Sequence, residues 1–388
     1  MARLVVFPGD PIRKYHEKGE IKPRYWNPEG VFERVDILSF ADQEVEPALV
    51  QDLVGPAELR IHPIGSFQKA MAFLPARLRR ARRLVEGIGP DLIRGHGAHV
   101  AAFYATHIAR RLAIPAVVSL HGDYEEIRSF RRVVPWTSYV KNYLASRLFE
   151  GYALSRADAV ICVTAFIERY ARKHGARRVE TIYNRVPTGK FVPRPPVPGP
   201  LAPLRILCVG RINPQKNQAC LLQAVRGLDV RMRFVGRDSD EYLAYLRARA
   251  AELGLTERVE FVPAVPYSRI EACYQEADVF AIATLFEGFC IPVLEAMACG
   301  LPVVVSRIPP LEEIVGDAGL VVEVDPDCFR QAFVRLAADG ALRAELGARA
   351  RARAAGLDAA IMERRERDLY LSLMGAHAEA IPARGGRR

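Results

Sequence analysis

Residues 205–217 read Arg205-Ile-Leu-Cys-Val-Gly-Arg-Ile-Asn-Pro-Gln-Lys-Asn217, and a helix-forming run, Gln218–Arg226, follows at once. The run Arg205–Val209 is short and almost wholly apolar, which predicts a strand covered on both faces. Gly210 breaks it, and a few residues later the chain is ready to coil. Strand, tight loop and helix make one step of an α/β fold. The step then repeats. Met232–Val235, Val259–Val262, Val279–Ile282, Pro302–Val305 and Leu320–Val322 read as strands. Glu241–Leu253, Ser268–Gln275, Pro292–Ala298, Pro309–Ile314 and Asp327–Ala338 read as helices between or after them, and Asp358–Met374 as a last one.

The first half shows the same alternation. Leu4–Phe7, Val35–Phe40, Leu92–Arg94, Ala116–Leu120 and Ala159–Val163 read as strands, and Pro75–Glu86, Val100–Leu112, Tyr139–Leu154 and Phe166–His174 as helices. Between the halves lies Pro187–Pro203, where repeated prolines block both helix and central strand and predict a stiff extended linker and hinge. The expected organisation is therefore two Rossmann-like, doubly wound domains. Residues 1–186 form the first, joined by a C-terminal helix at about 358–376, residues 187–203 the linker, and 204–357 the second. Sheets of this kind bind ligands at the carboxyl ends of their strands, so the cleft between the two edges is the expected site.

Length and composition agree with this. At 388 residues, half of them hydrophobic and 26% charged, the chain has the balance of a globular protein with sizeable cores. No apolar run is long enough to span a bilayer, and the apolar start from Leu4 to Phe7 is too short for a signal peptide. Seven scattered cysteines without a Cys-x-x-Cys pair predict a reduced, cytoplasmic protein with no structural zinc. Residues 1–185 hold 29 Lys and Arg against 20 Asp and Glu, whereas residues 186–388 hold 26 against 25. The excess suggests that the first half meets something anionic, such as a phosphorylated acceptor or the inner face of a membrane. Ordinary solvated helix faces are the plain alternative, and the run Arg77-Leu-Arg-Arg-Ala-Arg-Arg83 fits either reading.

Chemistry gathers in two stretches of the second half. In Glu287-Gly-Phe-Cys-Ile-Pro-Val-Leu-Glu295, Pro292 fits a first helical turn, so the amides of Phe289, Cys290 and Ile291 lie at a helix N-terminus that favours an anion. Glu287 precedes that point and Glu295 lies about one turn inside. On spacing alone, Glu287 reads equally as a cap and Glu295 as a surface residue. Earlier, Gly210, Arg211 and Lys216 combine a planar fork and a point charge in a strand-to-helix loop, an arrangement for clamping phosphates.

Taken together these stretches resemble the retaining glycosyltransferases of family 4, which have the GT-B fold of two facing Rossmann-like domains. The resemblance covers most of 204–357 and, more weakly, the first half. It implies that Glu287 bonds the hydroxyls of a donor sugar and Glu295 those of a ribose. Arg211 and Lys216 would neutralise a leaving diphosphate, while Gly288 and the amides of Phe289, Cys290 and Ile291 hold sugar and distal phosphate. Cys290 stands where the family usually has glycine. Glu260–Val265, with Val262, aligns with the segment that holds the base, and Asn184 with the residue that usually ends the first domain. His121, in Val118-Ser-Leu-His-Gly-Asp123, matches the family's histidine loop and is the candidate for contact with the reacting sugar; a satisfied histidine at a strand end is the alternative. Asp123 is its neighbour. Gly9 and Asp10 replace the usual glycine pair after the first strand and lead into a long polar stretch, Pro11–Gly30, taken as an acceptor loop with Tyr15.

Three patterns are set aside. Asp238-Ser-Asp240 imitates a metal-binding Asp-x-Asp but opens a helix, where an N-cap is expected. His96 and His99 have no third ligand close in sequence for zinc. Gly95-His-Gly97 is too short for a dinucleotide fingerprint. The expected function is transfer of a sugar from a nucleotide-diphosphate donor, UDP-linked first and GDP-mannose second, to a hydroxyl acceptor with retention. The expected setting is bacterial cell-surface polysaccharide or glycolipid synthesis, with no metal, no cofactor beyond the co-substrate and no nucleic-acid partner. A sugar-nucleotide epimerase on the same fold and a non-catalytic sugar-nucleotide-binding protein are the alternatives.

Overall fold

The computed structural model describes residues 2–19, 21–72, 74–130, 140, 143–144, 146–193, 195, 198–238 and 241–380. Two units emerge. One is built on the described residues of Met1–Ser129, Pro135–Tyr183 and Met362–Arg388, the other on those of Phe130–Val134 and Asn184–Ile361.

The first unit holds seven strands: β1 (Arg3–Phe7), β2 (Arg34–Ser39), β3 (Glu58–Pro63), β4 (Leu92–His96), β5 (Ala116–Leu120), β6 (Ala159–Cys162) and β7 (Val179–Thr181). They pair in parallel in the order β3-β2-β1-β4-β5-β6-β7. The edge strands β3 and β7 escape the apolar-run criterion. β3 alternates, as Glu58-Leu-Arg-Ile-His-Pro63, because one of its faces is wet, and β7 is three half-buried residues. The core packs Val5, Phe7, Leu38 and Ile93 against the helices Leu74–Ile88 and Val100–Leu112. The arginine-rich helix Leu74–Ile88 thus turns Ala81, Val85 and Ile88 inward and leaves Arg79, Arg80 and Arg83 in solvent. Gly95 admits the second helix closely, since a Cβ there would come within 2.8 Å of Ala102 Cα.

The stretch Pro11–Gly30 is not the open polar loop expected from its composition. It contains a helix, Ile12–Lys18, and Trp26 and Asn27 are fully buried. Asn27 explains the turn: its Nδ2 donates to Phe32 O at 2.8 Å, and its Oδ1 accepts from Phe32 N at 2.9 Å. Of the helix expected over 139–154, Tyr139, Lys141, Asn142 and Ala145 lie outside the described residues, and the later part is a π-helical turn, Ser146–Glu150, running into the α-helix Gly151–Arg156.

The second unit holds β8 (Leu204–Val209), β9 (Val230–Val235), β10 (Val259–Val262), β11 (Val279–Ile282), β12 (Val303–Ser306) and β13 (Leu320–Val322). Its parallel order is β10-β9-β8-β11-β12-β13. A helix absent from the expectations, Gly340–Ala355, is Ala- and Arg-rich without a clear apolar stripe, and Asp339 caps it by accepting from Leu342 N at 2.9 Å. The described residues of the proline-rich run lie against this unit. Phe191 is fully buried, Leu201 N donates to Ala337 O at 2.9 Å, and Arg351 Nη1 donates to Thr188 O at 2.9 Å. The boundary between the units falls at Tyr183–Asn184, before that run.

The terminal helix, Ala359–Ala380, takes the chain back to the first unit at Met362. Glu363 receives Arg24 Nε at 2.7 Å and Glu29 N at 2.8 Å. One turn on, Glu366 lies 2.5 Å from Arg94 Nη1 and accepts from the Tyr370 hydroxyl at 2.6 Å. Both charges are buried, and Arg94 also donates to Ser119 Oγ at 3.1 Å, so β4, β5 and the terminal helix share one polar knot. Breaking such a pair leaves a buried charge unpaired, at a cost of about 3–5 kcal/mol. Glu366→Ala is expected to lower the first unit's unfolding transition by that order in urea, whereas Arg94→Leu with Glu366→Leu loses much less. Equal losses for both would show that the charges themselves do not fasten the helix.

Candidate active site

In each sheet the strand order turns back on itself once, between β1 and β4 and between β8 and β11. Loops leaving neighbouring strands diverge at such a point and open a crevice at the carboxyl edge. Of the residues singled out in the sequence, Gly9, Arg211, Lys216 and Glu287 lie past the ends of β1, β8 and β11 and His121 past that of β5, whereas Glu295 and Tyr15 lie on helices and Val262 on β10, two strands from the reversal.

In the second unit, Gly210 follows β8 at φ 156°, a conformation that favours glycine. Its carbonyl is so close to Gly236, after β9, that a Cβ on Gly236 would lie 1.8 Å from it. Asn213 Oδ1 accepts from Lys216 N at 3.1 Å and caps the short turn Pro214–Lys216. Gln215 pins this loop to the one after β11: its Nε2 donates to Phe286 O at 2.8 Å, and its carbonyl accepts from Leu285 N at 2.9 Å. Lys216 and Glu287 thereby meet as an ion pair, with side chains only 8% and 10% exposed. Thr284 Oγ1 lies 2.9 Å from Glu287 Oε1. Burial disfavours the Lys216 ammonium, but the Glu287 carboxylate outweighs this and holds its pKa above the ordinary lysine value.

Cys290 caps the helix Ile291–Ala298 in the left-handed region at φ 68°, so the position where glycine was expected does adopt a glycine-favouring conformation. Burial pushes its thiol up to about 12, and it stays protonated. Glu295, which spacing alone also allowed as a surface residue, is buried and accepts from the Tyr274 hydroxyl at 2.6 Å. Gly288 and Phe289 lie in the loop before the helix, and Ile291 opens it. Arg211 is exposed, with Nη2 3.3 Å from Gln215 Oε1. Val262 ends β10, where its carbonyl accepts from Gly236 N at 3.1 Å. Thr284, Gln215 and Tyr274 belong to this constellation, and the sequence reading missed them because none sits in a recognisable spacing.

In the first unit, His121 follows β5 directly. Its ring stacks on that of His96, at the end of β4, with centroids 5.3 Å apart and planes at 15°. Trp26 meets His96 edge-on at 4.3 Å, and the Arg94 guanidinium lies 5.4 Å from the Trp26 ring. Nε2 of both histidines is buried and makes no hydrogen bond within the described protein. Burial and the neighbouring Arg94 cation push His121 down to about 4 and His96 well below the ordinary value. Both rings are therefore neutral near pH 7. Asp123 caps the helix Tyr124–Ser129, accepting from Glu125 N at 2.8 Å and Glu126 N at 3.1 Å. Gly9 lies against His96, with its would-be Cβ 3.7 Å from His96 Cβ. Asp10 is a surface residue 3.4 Å from both Lys14 and Lys18, and Tyr15 packs on Tyr25 and Trp26. The partner of His96 is thus His121 rather than His99, which lies 3.2 Å from Glu150. Among the described residues no group of three or more His, Cys, Asp or Glu stands together to hold a metal. Asp238 accepts from Tyr242 N at 3.0 Å at the head of the next helix; Ser239 and Asp240 lie outside the described residues.

Two outcomes follow from this geometry. Gly236→Ala forces the Gly210 loop aside, and overpacking of this kind costs about 1–3 kcal/mol; an unchanged melting temperature would contradict the contact. The neutral histidines set a pH dependence. Their folded pKa values lie below the unfolded value of about 6.5, so the unfolded chain binds more protons between the two. The histidines' contribution to stability is complete above about 6.5 and is lost as pH falls toward about 4. Unfolding midpoints between pH 7 and 4 should show a shallower loss in His96→Asn with His121→Asn than in the parent chain.

Comparison with known proteins places these features. The family described as Glycosyl transferases group 1 matches residues 197–353, and Glycosyltransferase Family 4 matches residues 33–190. An uncharacterized glycosyltransferase of Methanocaldococcus jannaschii is 24% identical over 292 residues, covering 74% of this chain and 77% of that one. A GDP-mannose-dependent alpha-(1-6)-phosphatidylinositol monomannoside mannosyltransferase of Mycolicibacterium smegmatis is 31% identical, over 50% of this chain and 58% of its own. The chain spans less than two thirds of the length of several curated relatives it matches. In fold it is similar to Anabaena HepE, solved in complex with UDP, at a TM-score of 0.73 and 18% identity over 96% of this chain and all of that one. With both halves matched, the two parallel sheets and their crevices belong to a glycosyltransferase of family 4, with the GT-B fold.

Proposed function

We propose that this enzyme transfers a sugar from a nucleoside-diphosphate donor to a hydroxyl acceptor with retention of anomeric configuration. The observation that carries this is the Lys216–Glu287 pair, held beside the N-terminus of Ile291–Ala298 in the crevice between β8 and β11. A cation and a helix end suit a diphosphate, and an adjacent carboxylate suits sugar hydroxyls. Glu295 takes the ribose hydroxyls in this reading, the segment at Val262 the base, and Arg211 the outer face of the diphosphate. The C1–O bond to the diphosphate breaks, the acceptor oxygen bonds to C1, and its proton passes to the departing phosphate oxygen. The protein's share is orientation and stabilisation of the leaving charge.

The first unit supplies the acceptor side, with His121 as a neutral hydrogen-bonding partner for the reacting sugar and Gly9 flanking His96. Between donors, one sequence relative is by its name GDP-mannose-dependent, and it is nearer in sequence than the UDP-bound neighbour in fold. GDP-mannose therefore moves ahead of UDP-sugars. A lipid-linked or polysaccharide acceptor fits the basic first half, and the exposed Arg79, Arg80 and Arg83 suit peripheral contact with an anionic membrane. Among the described residues no helix is long and apolar enough to cross one.

The test is thermal shift against GDP, UDP, ADP and their sugar conjugates, since a ligand at 100 times its Kd adds ~2.7 kcal/mol of stability. One nucleotide family should stabilise; stabilisation by none would overturn the donor site. Lys216→Ala should reduce turnover ~100–1,000-fold in a folded protein, as expected for one lost charge-stabilising donor. His121→Ala should impair transfer while leaving nucleotide stabilisation intact, and equal loss of both would make it a structural histidine.

A further inference from the structure

A second buried charge network, in the first unit, has no part in the scheme above. Glu150 closes the π-helical turn Ser146–Glu150, and its side chain is fully buried. Such turns are rare and recur at functional places. Basic groups from three other elements converge on this one carboxylate. Arg128 Nη1, on the helix Tyr124–Ser129, donates to Oε1 at 2.8 Å. His99 Nε2, at the head of Val100–Leu112, lies 3.2 Å from the same oxygen, and His174 Nε2, just past Ala165–Lys173, lies 3.7 Å from Oε2. The phenols of Tyr124 and Tyr170 stand close by. A second latch lies next to it, where Glu125 accepts from Lys173 Nζ at 2.7 Å and faces His174 Nε2 at 3.2 Å.

The places of these partners matter more than their number. His99 stands three residues after His96, on the loop leaving β4. Arg128 lies on the helix that begins directly after His121-Gly-Asp123, on the loop leaving β5. The loops also touch each other, since Gly97, at φ +73°, leaves only 2.8 Å between a would-be Cβ and the Tyr124 hydroxyl. One carboxylate thus ties to the body of the unit both loops that leave the strand ends where the stacked imidazoles stand. We propose that Glu150 is a positioning residue, which through His99 and Arg128 fixes the loops after β4 and β5 and so holds His96 and His121 in register for the acceptor side of the reaction. Its catalytic consequence rests on the transferase reading of His121; the structural claim does not.

A carboxylate that only adds stability and one that sets the histidines differ in what happens to the rings. In the full chain, Glu150→Gln alone leaves the Arg128 guanidinium, 14% exposed, without its partner. Glu150→Gln with Arg128→Gln leaves no unpaired charge and serves as the folded comparison. The probes are the imidazole resonances of His96 and His121, titrated by NMR without ligand, and release of GDP from GDP-mannose or UDP from UDP-glucose.

Both variants should shift the His121 resonance and raise its titration from about 4 toward the ordinary histidine range. Donor turnover should fall ~10–100-fold, as for a misplaced catalytic group, with donor KM and nucleotide stabilisation unchanged. Unchanged resonances and titrations in the folded double variant would overturn the proposal even if its melting temperature dropped. Should that variant not fold, His99→Gln removes one tie without stranding Arg128 and must move the His96 resonance. If the parent chain turns over no donor, the transferase reading fails, and the titrations still decide the role of Glu150.

Discussion

A parallel sheet whose strand order reverses once must leave a crevice at the carboxyl edge, and this constraint governs both units. Each strand delivers its loop to that edge, and only at the reversal do neighbouring loops lead away on opposite faces. In the second unit those loops bring together Lys216 and Glu287, which lie 71 residues apart in sequence. In the first they bring together Gly9 and His96, with His121 just past the end of the next strand. Glycine appears where backbones must nearly touch, at Gly210 against Gly236 and at Gly95 against Ala102. The fold supplies position, and side-chain choice at a few loop residues supplies chemistry.

The Lys216–Glu287 pair shows how position and chemistry conflict. Removing two charges from water costs several kcal/mol per ion, and their mutual attraction returns this only with good additional hydrogen bonds. Thr284 provides one contact to Glu287, while Asn213 and Gln215 fix the backbone around Lys216. Such a pair is weak evidence for stability as such. On the proposed transferase reading it is a pre-formed site, in which an incoming diphosphate and sugar hydroxyls would share the partners that now satisfy each other. The Arg94–Glu366 pair has the same chemistry but a different setting, sealed between two strands and the terminal helix, and there its role is to fasten the chain's end.

How much of this was legible in the sequence follows from what each feature depends on. Most strands were legible because they are continuous apolar runs; β3 was not, because it alternates, and β7 was not, because its three residues, Val179-Glu-Thr181, include two polar ones. The Gly-Arg loop and the two glutamates could be read because loop chemistry is local in sequence. Glu295 was ambiguous because its environment depends on Tyr274, 21 residues away. Trp26 was mistaken for a loop residue because the polar residues around it concealed an Asn27-centred turn that buries it. Glu150 was invisible: its meaning lies in three basic partners spread from His99 to His174, and no spacing connects them.

The electrostatics of the first unit narrow the chemistry that it can perform. His121 titrates near 4, so around pH 7 it neither carries a positive charge nor donates a proton as an acid. The carboxylate nearest in sequence, Asp123, is spent on two backbone amides as a helix cap, and Glu150 is committed to Arg128 and the histidines. Both carboxylates are thus already engaged as acceptors within the unit. A neutral imidazole can still orient a hydroxyl by hydrogen bonding, and for that task its loop must be rigid rather than its pKa poised. This favours a division of labour in which the departing diphosphate takes the acceptor's proton while the protein holds the reacting groups in place.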